Sequence, residues 1–267
     1  MKLAVSNIAW SRAEDSLVAD LLLKSGFRGV EIAPTKVWDR PLDVTERQAR
    51  DYRRFWNERG IDVVAMQALL FGRPELTLFE TPKARSETLE HLRGLMRLGE
   101  WLGVLVLVFG APRNRRAGEA NAAEAERIAI DFFGAAGAQA LEHGVVLAIE
   151  PNPAQYDCDF VTTSREGLDL VRKVRSGGFG LHLDAAAMTL AGEMLPDAVV
   201  DCAGSIAHFH VSEPFLGVVG EGTADHRSLA SALRRIGYSN WTSVEMRADP
   251  ESSLPKVLTY VAETYGG

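Results

Sequence analysis

The sequence predicts a closed barrel of eight parallel strands ringed by helices, a (β/α)₈ fold, on three observations. Eight apolar runs of strand length alternate with eight stretches of helical periodicity, each unit takes about 30 residues, and a chain of 267 residues is long enough to close the ring. Strands in that alternation lie parallel, joined by right-handed crossovers. The strand runs fall at residues 3–8, 29–33, 61–68, 104–110, 145–149, 178–183, 206–211 and 241–246. The helical stretches are 16–25, 44–59, 83–102, 120–142, 164–174, 195–203, 228–235 and 250–264. Asp43 with Glu46 reads as a capping box opening the second helix, whereas Ser164 with Gly167 makes only half a cap. Gly26, Gly60, Gly103, Gly144 and Gly237 each fall just past a helix end, where a left-handed residue closes the last turn. After the first strand, Ser6-Asn7-Ile8-Ala9-Trp10 stands in place of a glycine-rich phosphate fingerprint, which argues against an open dinucleotide-binding sheet. No Pro/Ser-rich linker or change of composition divides the chain, so residues 1–267 read as one domain.

Composition excludes several function classes. With 46% hydrophobic and 24% charged residues the chain is neither disordered, collagenous nor a coiled coil. Its 29.1 kDa are expected to bury about three quarters of the unfolded surface, enough for one large core. The longest apolar runs, such as 104–109, fall far short of the roughly 18 residues a membrane span needs. Met1-Lys2-Leu3 leads straight into a strand, so the sequence reads as cytoplasmic with no membrane partner. Against 29 Lys and Arg stand 36 Asp and Glu, and the net charge of −7 opposes nucleic acid as a partner. Cys158 and Cys202 are too few for a disulfide framework or a zinc ribbon and read as packing residues.

In a barrel of this kind the chemistry sits at the carboxyl ends of the strands. Strand five closes Leu147-Ala148-Ile149-Glu150-Pro151-Asn152, strand six Leu181-His182-Leu183-Asp184, strand seven Ala207-His208-Phe209-His210, and strand eight Ser243-Val244-Glu245. Alternation with period two points Glu150, Asp184, His210 and Glu245 into one mouth. Three carboxylates there would repel one another at a cost of several kcal/mol per unpaired charge, so a cation belongs among them. An oxygen-rich set with one imidazole suits a fairly hard divalent ion, Mn²⁺ first, with Mg²⁺, Co²⁺ and Zn²⁺ as alternatives. A lone acid at a strand end is more often a cap, and His182 and His208 read as hydrogen-bonded residues of a lower layer. The joint pattern on four consecutive strands is what favours a metal.

After strand four, Phe109-Gly110-Ala111-Pro112-Arg113-Asn114-Arg115-Arg116 brings guanidinium groups toward the mouth. Arg113 and Arg115, joined by Lys36 and Arg247, are suited to a carboxylate or phosphate, which points to an anionic small-molecule carbohydrate. Glu31, Gln67, Asn152 and Glu213 are candidates for hydroxyl contacts, and Trp10 and Trp38 for pocket walls.

These pieces resemble the xylose isomerase-like TIM-barrel superfamily of sugar phosphate isomerases and epimerases, whose relatives include ketose 3-epimerases, hydroxypyruvate isomerase and inosose dehydratase. The likeness spans essentially the whole chain. It is carried by Ala148-Ile149-Glu150-Pro151, Leu183-Asp184, His208-Phe209-His210-Val211-Ser212-Glu213, Gly220-Glu221-Gly222 and Ser243-Val244-Glu245. The resemblance implies that Glu150, Asp184, His210 and Glu245 bind the divalent ion, that Glu150 and Glu245 double as catalytic acid and base, and that the chain forms a homo-oligomer. Three positions depart from the pattern. Ala187 replaces the histidine of Asp-x-x-His, Leu216 an arginine of the ketose 3-epimerases, and Tyr156 a glutamate, so a free ketose fits poorly. The expected reaction is isomerisation or epimerisation by proton transfer next to a carbonyl of a sugar, sugar acid or sugar phosphate. A dehydratase and a nonenzymatic sugar-binding barrel are the alternatives. An abasic-site nuclease, which needs a histidine-rich metal cluster and a basic face, is opposed by only six histidines and the charge of −7.

Overall fold

The structure, a computed structural model, describes residues 1–248 and 253–267. Its strands are β1 (Lys2–Ser6), β2 (Gly29–Ile32), β3 (Asp62–Met66), β4 (Val106–Phe109), β5 (Val146–Ile149), β6 (Phe179–Asp184), β7 (Ile206–Ser212) and β8 (Trp241–Glu245). They pair in parallel in sequence order, and β8 closes onto β1, so the expected (β/α)₈ barrel is what forms. Around it lie α1 (Asp15–Lys24), α2 (Glu46–Asn57), α3 (Pro82–Leu102), α4 (Ala122–Glu142), α5 (Ser164–Val174), α6 (Ala185–Leu190), α7 (Leu195–Asp201), α8 (His226–Arg235) and α9 (Leu254–Tyr265). Pro250, the expected start of the last helix, lies outside the described residues. No helix among the described residues is long and apolar enough to cross a membrane.

Two local expectations are corrected. The capping box of α2 is formed by Thr45 and Gln48, whose side chains reach each other's backbone N–H, because Asp43 is already consumed in a short 3₁₀ turn, Pro41–Asp43. Where the sequence offered one helix after strand six, α6 starts at once. Asp184 caps it by accepting the Ala187 N–H at 2.6 Å, and the alanines that follow carry the turn. The five glycines at helix ends all have the expected left-handed backbone, with φ between 66° and 81°.

The outer faces of the strands pack on the helices in one large apolar cluster that includes Leu22, Phe27, Trp56, Phe133 and Val257. The barrel interior is divided. Ala4, Val64, Val106, Val108 and Ala148 form a small apolar cluster toward β3–β5. Elsewhere the interior is polar: Ser6, Glu31, His182, His208, His210, Ser212 and Ser243 are all at most 1% exposed. Register sets Asp184 beside His210 and Ser212 beside Glu245.

The loop between β7 and α8 is stapled by Glu213. Its carboxylate accepts the N–H groups of Gly220 (3.3 Å) and Ala224 (3.0 Å) and bonds His226 Nε2 at 3.0 Å, while His226 Nδ1 meets Tyr265 Oη at 2.9 Å on α9. Gly222 is required beside it, since a Cβ there would strike the Glu213 carboxylate. Burial alone would raise the Glu213 pKa, but the His226 bond and the two N–H groups hold it below the usual carboxylate range. An acid lowered by folding contributes stability above its unfolded pKa and loses it as pH falls through the folded one. Glu213→Gln is therefore expected to cost about 2–3 kcal/mol at neutral pH, as hydrogen bonds to a charged group do. In denaturant titrations the gap to the unaltered protein should shrink steadily once the pH drops below the ordinary glutamate range, and a gap independent of pH contradicts the staple.

Candidate metal and active site

Glu150 follows β5 directly, and Gly110, one residue past β4, makes room for it: a Cβ at Gly110 would collide with Glu150 Oε2. From beneath, Arg115 Nη2 donates to the Glu150 backbone carbonyl at 2.6 Å. Asp184 ends β6 with both oxygens oriented, one by the Ala187 N–H and the other by the Ser212 hydroxyl, whose Oγ also accepts the Ala186 N–H at 3.0 Å. Glu245 ends β8 with its side chain 14% exposed. These groups open into a cavity of about 470 Å³ whose wall also includes Gln67, Arg113, Asn152, Tyr156, Ser212, Leu216 and Arg247.

His210 is the centre of the floor. Its Nε2 lies 3.0 Å from Glu31 Oε2, which places a proton on Nε2 and turns Nδ1 toward the mouth. There Nδ1 stands 3.4 Å from Glu245 Oε2 and 3.9 Å from Asp184 Oδ2, yet it is buried and makes no hydrogen bond. Carboxylates crowded around one ring nitrogen need positive charge, a proton or a cation, among them. Electrostatics agree: burial, with Asp184 and Glu245 alongside, pushes Glu150 up to about 8, and burial with Glu245 pushes Asp184 to about 6. Burial would lower His210, but Glu31 and Glu245 hold it well above the ordinary imidazole value. His210 and His208 hold Glu31 well below the carboxylate range against its own burial. Glu150, His182, Asp184 and His210 each offer a ligand atom within 4.8 Å of the others. An orphaned imidazole nitrogen and carboxylates that burial drives toward protonation are a donor set fitted to a divalent cation.

Of the residues expected from sequence, Glu150, Asp184, His210 and Glu245 do share one mouth, although Glu245 stands outside the 4.8 Å set. Gln67, Asn152, Arg113 and Arg247 line the cavity, with Gln67 Nε2 donating to Ser6 Oγ at 2.5 Å and Arg113 paired to Asp157 at 3.1 Å. Glu213 also lines the cavity, and three others are placed elsewhere. Glu31 is fully buried beneath His210, so it cannot meet substrate and acts on the imidazole instead. Arg115 points down under Glu150 and Lys36 is exposed outside the cavity, while Glu213 stays in the cavity wall with its carboxylate engaged by the staple. Trp10 is core, its indole N–H bonded to Asp15 at 2.8 Å, and Trp38 packs on Tyr52. His182 and His208 do occupy the lower layer, but neither nitrogen of His182 nor Nε2 of His208 finds the expected hydrogen bond.

Sequence reasoning missed Ser212 and Phe215. Ser212 was readable, two residues past His210 on the same strand face. Phe215 was not, because Phe215 and Leu216 take left-handed backbone, φ 60° and 61°, with the Phe215 N–H held by Tyr156 Oη at 3.0 Å. Ala187 contributes only its backbone to Asp184, while Tyr156 and Leu216 form cavity wall.

Comparison with known proteins places the fold. Over 84 residues the chain is 27% identical to a ketose 3-epimerase of Arthrobacter globiformis, a stretch covering 32% of this chain and 29% of that protein's length. The crystal structure of a D-psicose 3-epimerase in the presence of D-fructose is similar with a TM-score of 0.83 at 16% identity, over 100% of both chains. The IolI protein with a zinc atom is similar with a TM-score of 0.78 at 22% identity, again over 100% of both. At such identities the structural likeness is one of fold. The family model that describes the xylose isomerase-like TIM barrel matches residues 19–263, and the chain belongs to that family.

Proposed function

We propose that the protein is a divalent-cation-dependent sugar epimerase or isomerase that moves a proton on the carbon next to a carbonyl of a sugar, sugar acid or sugar phosphate. The observation that carries this reading is the pair Glu150 and Glu245, which face one cavity from strands three places apart in the ring, on either side of Asp184 and His210. Glu150, Asp184 and His210 hold the cation, Mn²⁺ in first place, with Glu245 at their margin. When bound, the cation polarises the substrate carbonyl and stabilises the negative charge that develops as the neighbouring proton leaves.

The side chains supply the rest. One of Glu150 and Glu245 removes the proton and the other returns one, a role to which Glu150 is suited because burial brings it toward neutral pH. Glu31 holds the His210 proton on Nε2. Asn152 and Gln67 offer amides to hydroxyls, and Arg247 with Arg113 accounts for an anionic substituent. Tyr156, Phe215 and Leu216 close one side of the cavity with apolar surface that excludes water.

Glu150→Gln and Glu245→Gln are each expected to lower turnover by about 10²–10⁴-fold while leaving the circular dichroism and melting temperature of the fold intact. Washing solvent deuterium into a keto sugar reads the same step directly, and full exchange in either variant refutes the assignment. Gly110→Ala, which displaces the Glu150 carboxylate, should reduce exchange without touching any polar group, and unchanged exchange would separate Glu150 from the reaction. Chelator treatment should abolish exchange and Mn²⁺ restore it. At about 100 times its dissociation constant Mn²⁺ adds roughly 2.7 kcal/mol, a rise of about 4–5 °C in melting temperature for a chain of this size. No rise with any divalent cation overturns the reading.

A further inference from the structure

His182 is the buried titratable group that the proposed chemistry leaves unused. It is fully buried on β6, two residues before Asp184 and therefore on the same inward face. Both of its ring nitrogens lack a hydrogen bond, although buried polar groups in native proteins are almost always satisfied. His208 stacks against one side of the ring at 5.5 Å, and the His210 ring meets it edge-on at 4.1 Å, so neither neighbour offers an acceptor. A ligand atom of His182 nevertheless lies within 4.8 Å of those of Glu150, Asp184 and His210, the very set that Glu245 stands outside.

We infer that His182 is a further ligand of the cation, adding a second imidazole to His210 and the carboxylates of the mouth. This rests on the cation site proposed above. Imidazole nitrogen favours later transition ions, so the site prefers Zn²⁺ or Co²⁺ to Mg²⁺, whose chemistry suits oxygen alone. The second imidazole comes from the barrel floor and is already desolvated by its surroundings.

X-ray absorption at the zinc edge of the full-length protein loaded with one equivalent of Zn²⁺ should count two imidazoles. One imidazole overturns the inference and leaves the cation site standing. No retained Zn²⁺ or other divalent ion overturns both. In competition with a chromophoric chelator, His182→Gln should weaken Zn²⁺ and Co²⁺ by tenfold or more and leave Mg²⁺ within twofold, with the visible spectrum of the Co²⁺ form altered. Equal loss for all three ions, or none for Zn²⁺, contradicts the assignment. Should that variant misfold, the imidazole count on the unaltered protein decides alone.

Discussion

The imidazole of His210 is where the architecture and the chemistry of this barrel meet. Glu31 grips it from below and three carboxylates crowd it from above, at the buried end of the cavity. Each of these charges is costly alone, since a buried ion without its partner destabilises a protein by about 3–5 kcal/mol. They are tolerable only as a chain in which every negative group has a positive neighbour. Glu31 finds one in the imidazolium, but Glu150, Asp184 and Glu245 together exceed what one histidine supplies. The excess is drained by protons in the absence of a cation, which is why Glu150 and Asp184 move toward neutral pH. A divalent ion does the same work with charge to spare for a substrate.

That demand explains how the core is divided. The outer cluster between strands and helices supplies the apolar burial on which folding depends, so the interior from β6 through β8 and on to β2 can hold histidines, acids and serines. The opposite side, toward β3–β5, is kept to alanine and valine. Val108 of that cluster lines the cavity. Strain is placed with equal economy. Among the described residues seven non-glycine positions have left-handed backbone, and five of them, Ala68, Ala111, Asp157, Phe215 and Leu216, line the cavity. Such conformations cost about 1–3 kcal/mol each and persist where the surroundings over-determine them, commonly at binding sites.

The fold and the acid–imidazole mouth were legible because both follow from short-range periodicity. Alternation along a parallel strand fixes which residues face inward, and the polar residue closing an apolar run marks the mouth, as with Glu150, Asp184, His210 and Glu245. What the sequence could not show depends on height along the barrel axis and on loop rotation. Glu31 lies inside its strand run, before Ile32, whereas Glu150 follows the end of its own, and Glu31 sits a layer lower, next to an irregularity between Val30 and Glu31 in the pairing with β3. In the arginine run, the left-handed turn at Ala111 and the 3₁₀ helix Pro112–Arg115 send Arg113 to the rim and Arg115 beneath Glu150. Glu213 does reach the cavity wall, as its place after the His210 strand suggests, but His226, 13 residues further on, captures its carboxylate. The capping box of α2 misled for a simpler reason: Asp43 with Glu46 and Thr45 with Gln48 both satisfy the pattern, and only the preceding 3₁₀ turn decides.

Floor and wall are thus built by different rules, and their consequences separate. The floor groups sit on strand ends, held by neighbours on adjacent strands, so displacing one disturbs the charge balance of all. The wall groups Tyr156, Phe215 and Leu216 sit on loops and are linked to one another by a single N–H to hydroxyl bond and an edge-on ring contact at 5.6 Å. A change in the wall alters which molecule is admitted and how well water is excluded, but leaves the charges beneath untouched. A change in the floor alters the chemistry for every molecule admitted. Of the three replacements of polar side chains, Leu216 and Tyr156 belong to the wall, and Ala187 meets Asp184 through its backbone N–H alone. The side chains lost there are compatible with retained proton transfer, because none of the three present side chains takes part in the contacts that tie Glu31 through His210 to the acids of the mouth.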